Sequence, residues 1–258
     1  VFVGTVYPIF YETLYDRQLT IGRSFYDTLV GPLLLILLLL IVFSEKLPNK
    51  NLNFGEWVKT NQMEINISLI ISIGISLYYE ANYEFILTIF ASTVLVIILG
   101  KNIITYFRKG KISGSYWAGQ IAHIGIGIFA IGLILNVTQS YSKEIITTPG
   151  STIEFGGNNY SINLPYEESR EEKNVINLPI SKSNKVKNAS LNIFKNSSQQ
   201  AISSPAIFRN IESDTYITIK VIDDDYFKLI IRKNYGIFII WLGLAMTIIS
   251  IYPRIKNE

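Results

Sequence analysis

The stretch that most limits how this chain can fold is Trp117-Ala-Gly-Gln-Ile-Ala-His-Ile-Gly-Ile-Gly-Ile-Phe-Ala-Ile-Gly-Leu-Ile-Leu-Asn136. It reaches the roughly 20 apolar residues that a helix needs to cross a bilayer. It also holds the single histidine of the sequence, His123. An ionisable side chain inside a span is expensive to keep there and marks a functional site by default, and imidazole is a common axial ligand of haem iron. Gly119, His123 and Gly127 recur every four residues and share one helix face, while Gly125 and Gly132 lie on an adjoining face. Such a small-residue face admits either another helix or a flat macrocycle at close range. In the plainer reading the glycines form a packing groove and His123 hydrogen-bonds a neighbouring helix.

Four further apolar segments predict a polytopic α-helical membrane protein. They run over about 29–43, 65–79, 85–100 and 236–252. The first is expected to begin at Gly31-Pro32, with proline in the opening turn, and its leucines to face lipid on all sides. Residues between Ser44 and Glu64 read as a loop with an interfacial piece at Glu56 to Lys59, and Glu80 to Glu84 as an acidic turn. Lys46, Lys50 and Lys59, then Lys101, Arg108, Lys109 and Lys111, and finally Arg254 and Lys256 fall on one side of the five spans. The positive-inside rule makes that side cytoplasmic. His123 is then expected in the cytoplasmic half of the membrane. These segments define a membrane region over 1–136 and a closing span with a short tail over 234–258.

Between them, from Val137 to Lys233, hydropathy falls and the period changes from helical to alternating. Thr152–Phe155 and Tyr160–Asn163 flank Gly156-Gly157-Asn158, a hairpin whose glycines supply positive φ. Thr215–Ile222 and Tyr226–Ile231 flank Asp223 to Asp225 in a second hairpin. Asn174–Ile180 and Asn188–Phe194 are weaker strand candidates, Glu167 to Lys173 reads as a charged loop, and Lys195 to Ser204 as a polar, mobile connection. The expectation is an inserted all-β extracytoplasmic domain of a size that can hold its own core.

The rest of the sequence narrows the chemistry. With 49% hydrophobic and 17% charged residues, the chain departs from soluble composition. Its net charge of +3 sits in loops beside spans, which leaves no basic and aromatic stripe for nucleic acid. It has no cysteine, which excludes disulfides and thiolate ligands of its own. Asp223 to Asp225 lack the spacing of a calcium loop, and no nucleophile lies beside a base. Gly4-Thr5-x-Tyr7-Pro8 and Ile21-Gly22-x-x-Phe25-Tyr26 read as an interfacial anchor ahead of the first span. The chain begins at Val1 without a signal peptide, so it is expected to be part of something longer.

Several residue groups, in order and spacing, resemble one family. They are Gly4-Thr-Val-Tyr-Pro8, Ile21-Gly22-Arg-Ser-Phe-Tyr26 leading into Pro32, Ala122-His123-Ile-Gly125, Pro149-Gly150, Ser204-Pro-Ala-Ile207 before Asp214-Thr-Tyr216, and Trp241-Leu-Gly243. The chain resembles the C-terminal portion of the CcmF type of cytochrome c haem lyase and its nitrite-reductase assembly relatives. That resemblance implies a bacterial or mitochondrial inner-membrane protein with its β domain in the periplasm or intermembrane space. Such a protein helps attach haem covalently to apocytochrome c. The family's histidine at the Ala-His-x-Gly position ligates a b-type haem, and it maps onto His123, with Gly119 and Gly127 as haem-face or helix-packing positions. The implied partners are apocytochrome c and the haem chaperone and thiol-handling subunits of the maturation system, with quinol as the electron source.

The departures are as informative. The family's tryptophan-rich external loop, two external histidines and second membrane histidine have no counterpart here, and Ser204-Pro205 stands where many members carry Thr-Glu. The alternative reading is a non-catalytic assembly subunit whose β domain docks apocytochrome or partner proteins. A transporter fragment ranks last, since no pair of broken helices is evident.

Overall fold

The computed structural model describes residues 11, 13–15, 23–44, 54–79, 83–109, 114–195, 201–222 and 226–251. Gly4 to Pro8, Ile21-Gly22, Lys46, Lys50, Glu80, Lys111, the Asp223 to Asp225 turn, Arg254 and Lys256 lie outside the described residues. The chain divides into two compact units. One runs to Thr138 and resumes at Ile239; the other is Gln139–Phe238.

The first unit is helical. Long apolar runs satisfy their backbone amides internally as helices, here α1 (Arg23–Ser44), α2 (Phe54–Thr60), α3 (Gln62–Tyr78), α4 (Tyr83–Lys109), α5 (Gly114–Gln139) and α6 (Ile237–Ile249). Helix α1 starts well before Gly31-Pro32, so Pro32 sits inside it and not in its first turn. Proline removes one backbone donor but tolerates the helical φ, and apolar helices accommodate it. The Ser44 to Glu64 region is not a loop throughout. From Phe54 it is helical, and Asn61 joins α2 to α3 by giving both its backbone and its side-chain N–H to the Trp57 carbonyl, at 3.1 and 2.9 Å. Helix α4 likewise continues past Lys101 to Lys109, because no breaker intervenes before Gly110.

Helix α4 is the hub. Its Ala91, Val94, Leu95, Ile98 and Leu99 share one cluster with Leu38, Ile41 and Val42 of α1, Trp57 of α2, and Ile124 and Ala130 of α5. The leucine run of α1 is therefore two-sided: Leu38 is fully buried, whereas Leu33 and Leu40 are exposed. Helix α3 buries Glu64, Ser68, Ser72 and Ser76, one residue per turn, and exposes Met63, Ile70 and Leu77. Those buried hydroxyls are satisfied within their own helix. Ser68 donates to the Glu64 carbonyl at 2.8 Å and Ser76 to that of Ser72 at 2.6 Å, and on α4 Ser92 donates to Thr88 at 2.8 Å. Lys101 of α4 closes the row with an ion pair to Glu64.

Among the described residues, two helical segments, Phe85–Thr105 and Tyr116–Gln139, are long and apolar enough to cross a membrane. Pro32–Phe43, Gln62–Tyr78 and Ile237–Ile249 are shorter apolar helices.

The second unit is all β. Its strands are β1 (Tyr141–Thr147), β2 (Thr152–Phe155), β3 (Asn158–Ile162), β4 (Tyr166–Ser169), β5 (Lys173–Lys182), β6 (Lys185–Phe194), β7 (Ala201–Ser204), β8 (Ala206–Phe208), β9 (Ser213–Ile222) and β10 (Phe227–Tyr235). They form a four-stranded antiparallel sheet, β1-β10-β9-β8, and a six-stranded one, β2-β3-β5-β6-β7 with β4 on β5. Alternating strands bury one face each. Tyr160, Ile162, Leu178 and Ile180 of one sheet pack with Ile217, Ile219, Leu229 and Ile231 of the other. Tyr160 links the sheets further by donating its hydroxyl to Thr215 Oγ1 at 3.1 Å. The β2–β3 hairpin turns on Gly156 and Gly157, with φ of 58° and 73°, the two positive values that a type I′ turn requires.

Two sequence expectations are corrected. The charged loop at Glu167 to Lys173 contains β4, with Glu167 opposite Ile176, and β5 already starts at Lys173. The polar connection ends in β7, where Ala201–Ser204 pair with Ser190–Ile193. Charge misled in both places, because edge strands tolerate glutamate and serine on their open faces.

Candidate functional site

His123 lies on α5, ten residues into a helix that is otherwise almost free of ionisable groups, and is half-buried. At about 100° per residue, Gly119 and Gly127 flank it one turn away on either side, each about 40° off its direction. The structure treats these glycines differently. A Cβ at Gly127 would come within 2.9 Å of Val96 Cγ2 and 3.4 Å of the Ser92 carbonyl, so this glycine lets α4 approach. A Cβ at Gly119 would meet nothing within 4 Å. The face of α5 therefore closes against α4 beyond His123 and stays open before it.

Gly125, expected on an adjoining face, stands about 160° round α5 from His123, and that opposite face has another use. A Cβ on Gly125 would stand 2.7 Å from the Gly243 carbonyl, and one on Gly243 2.6 Å from the Gly125 carbonyl. Here α5 and α6 meet backbone to backbone, a contact only glycine permits. Trp241-Leu-Gly243 thus includes a packing glycine whose partner the sequence alone did not reveal.

Tyr116, Gln120 and His123 stand at i, i+4 and i+7 on α5, a polar strip that sequence reading missed although the spacing was visible in it. Gln120 is buried. Beside the start of this strip, Trp117 packs edge-on against Phe107 of α4, with ring centroids 6.3 Å apart. Chemically, the strip offers one imidazole nitrogen as a ligand, next to an open glycine face and an amide. Among the described residues no three His, Asp or Glu side chains gather as a metal cluster. If a haem bound here, His123 would be the residue to hold it, beside the space at Gly119 and short of Val96 packed on Gly127.

No protein-family model matches the chain. It is 25% identical over 165 residues to the cytochrome c-type biogenesis protein CcmF of Pseudomonas aeruginosa, which covers 61% of this chain and 25% of that protein. Against the protein of the same name from Pseudomonas fluorescens it is 25% identical over 167 residues, again 61% of this chain and 25% of the relative. The chain thus spans about a quarter of the length of these curated relatives. Its fold matches a solved structure of the cytochrome c haem lyase CcmF with a TM-score of 0.75 and 14% identity, over 98% of this chain and 42% of that one. In sequence the chain is similar to CcmF cytochrome c biogenesis proteins, and in fold it is similar to a solved cytochrome c haem lyase CcmF.

Proposed function

We propose that this chain serves cytochrome c biogenesis as part of a membrane-embedded haem lyase, with His123 as one axial ligand of a b-type haem. The observation that carries the reading is the half-buried imidazole on an apolar helix, one turn from Gly119, where an added Cβ would meet no described residue within 4 Å. In this role a ring nitrogen of His123 provides the ligand lone pair, and Gly119 leaves room for the macrocycle edge. Val96, packed on Gly127, limits how far that ring extends along α5. The haem would supply a one-electron centre whose potential the protein sets through ligand and burial. A second histidine ligand would have to come from outside these residues, since the sequence has one histidine. Apocytochrome c, the haem chaperone and thiol-handling subunits, and quinol are the partners this role requires.

The membrane setting is supported by the inverted burial of α3, with serines inside and isoleucines outside, which suits an apolar solvent. We place five spans at about 29–43, 65–79, 85–100, 117–136 and 236–252 of a bacterial or mitochondrial inner membrane. The basic flanks lie in the cytoplasm or matrix and the 137–233 domain on the opposite side. The test is the visible spectrum of the full-length parent protein in native membranes. His123→Ala is expected to abolish or shift the b-haem Soret band, and an unchanged band defeats the ligand assignment. Gly119→Leu is expected to weaken haem retention while Gly74→Leu, also in open space, leaves it unchanged. The second reading, docking of partner proteins by the β domain, is favoured by the basic cleft considered next.

A further inference from the structure

Strand β6 is hydrogen-bonded to β5 along its whole length, from Lys185 to Phe194, but to β7 only from Ser190 to Ile193. Among the described residues, the half from Lys185 to Ala189 therefore has one free edge. The chain leaves this sheet at Ser204, turns at Pro205 and enters β8, the edge strand of the other sheet. Proline cannot donate to a ladder, so β7 cannot be prolonged alongside β6. The result is a cleft of about 1050 Å³ between the free half of β6 and β8.

Its lining has one sign of charge. Lys182, Lys185, Lys187 and Arg209 contribute cations, and no carboxylate lines it. Lys185, Lys187 and Arg209 are exposed and ion-pair with no carboxylate among the described residues. The half-buried Ile207 and the exposed Val186 supply its apolar lining, while Phe208 turns into the core against Tyr160. An unpaired strand edge is a template for another strand, and lysines on it repel basic edges and guard it against indiscriminate pairing. What such an edge admits is an extended chain with negative side chains opposite Lys185 and Lys187, in cross-strand pairs.

We propose that this cleft binds an extended acidic segment of a partner polypeptide by strand addition to residues 185–189 of β6. The free edge accommodates five residues, with apolar side chains of the segment against Ile207 and Val186 and acidic ones against the lysines. The proposal deepens the partner-docking reading and does not depend on His123 or haem.

The test uses the full chain in detergent and a fluorescein-labelled ten-residue peptide of alternating Glu and Val, read by anisotropy. Saturable binding is expected, weakened tenfold or more by Lys185→Glu with Lys187→Glu, and independently weakened by Arg209→Glu. A peptide N-methylated at alternate amides, or with Gln for Glu, is expected to lose binding. Equal binding of the N-methylated peptide would reduce the interaction to charge adhesion and overturn strand addition. Unchanged binding by the double variant would overturn the site. Displacement of the peptide by phosphatidylglycerol micelles would assign the cations to lipid instead. If the chain self-associates and the double variant abolishes it, the occupant is the Glu167-Glu168 edge of a second copy and not a partner. None of these variants touches the helical unit, so a b-haem spectrum that survives all of them leaves the haem reading to stand or fall alone.

Discussion

The β domain and helix α3 of the helical unit obey opposite burial rules. In the β domain, strands alternate so that Leu178, Ile180, Ile217 and Leu229 lie fully inside, while Lys187, Glu167 and Lys220 face out. In the helical unit, α3 keeps Ser68 and Ser72 at 0% exposure and shows Ile70 at 71% and Leu77 at 75%. Water as solvent accounts for the first pattern: burying apolar area stabilises the domain by roughly 25 cal/mol per Å². It cannot account for the second. Where the surroundings are as apolar as leucine, burial of isoleucine gains nothing, and helices associate through close packing of small residues. The contrast locates the stability of each unit in a different place, and substitutions can probe it.

The largest effect is expected where the β domain relies on apolar burial. Leu178→Ala removes a fully buried side chain from the core shared by both sheets and should cost about 2–5 kcal/mol. All three tryptophans, Trp57, Trp117 and Trp241, lie in the helical unit, so hydrogen exchange of the β-domain amides is the measurement to use. Exchange that stays as slow as in the wild type would mean that the shared core is not what holds the sheets.

Second comes the helical unit, where size and not polarity should decide. Gly243→Leu would drive a side chain into the Gly125 carbonyl and should cost about 1–3 kcal/mol or more. Ser72→Leu overfills a closed contact in the same way, whereas Ser72→Ala only removes a hydroxyl bonded to its own helix at 3.0 Å. Tryptophan fluorescence on heating in detergent should therefore show Gly243→Leu and Ser72→Leu unfolding early and Ser72→Ala close to wild type. If Ser72→Ala proved the most damaging of the three, the hydroxyl row would be the source of stability and the packing account would fail. A smaller effect is expected at the sheet-to-sheet contact. Tyr160→Phe loses one buried hydroxyl bond to Thr215 and should cost about 1 kcal/mol.

What the sequence could disclose follows the same division. Helix positions and both hairpins were legible, because apolar run length and alternation are local signals and Gly156-Gly157 prescribes its own turn. Helix ends were not: α4 runs to Lys109 through a basic segment that reads as loop, since positive charge marks a membrane boundary and not a helix boundary. Edge strands β4 and β7 escaped notice for want of an apolar face to announce them, and β8 because its three residues are too few to show alternation. At the candidate site, His123 was conspicuous as the single histidine in an apolar span. The different duties of Gly119, Gly125 and Gly127 were not legible, since each is defined by a partner far away in sequence: open space, Gly243 and Val96.

The smallest predicted effect tests the aqueous side of the contrast by pH. Glu144 on β1 accepts hydrogen bonds from Lys220 at 2.5 Å and Lys228 at 3.0 Å. The Lys220 contact first, and then that of Lys228, hold its carboxyl below the ordinary value of 4.5. A carboxylate with a depressed value binds its proton less readily in the folded domain than in the unfolded chain. Its contribution is therefore complete above about pH 4.5 and fades as the pH falls through the lower folded value. The side chain is open to solvent, so the contribution is small and declines further in high salt. Other carboxylates titrate in the same range, which makes the difference between wild type and Glu144→Gln the quantity to measure. In low salt, β-domain amide protection should be higher in the wild type than in Glu144→Gln near neutral pH. The two should converge on acidification, and a gap that stayed constant down to the acid limit would show that the ion pairs are not its cause.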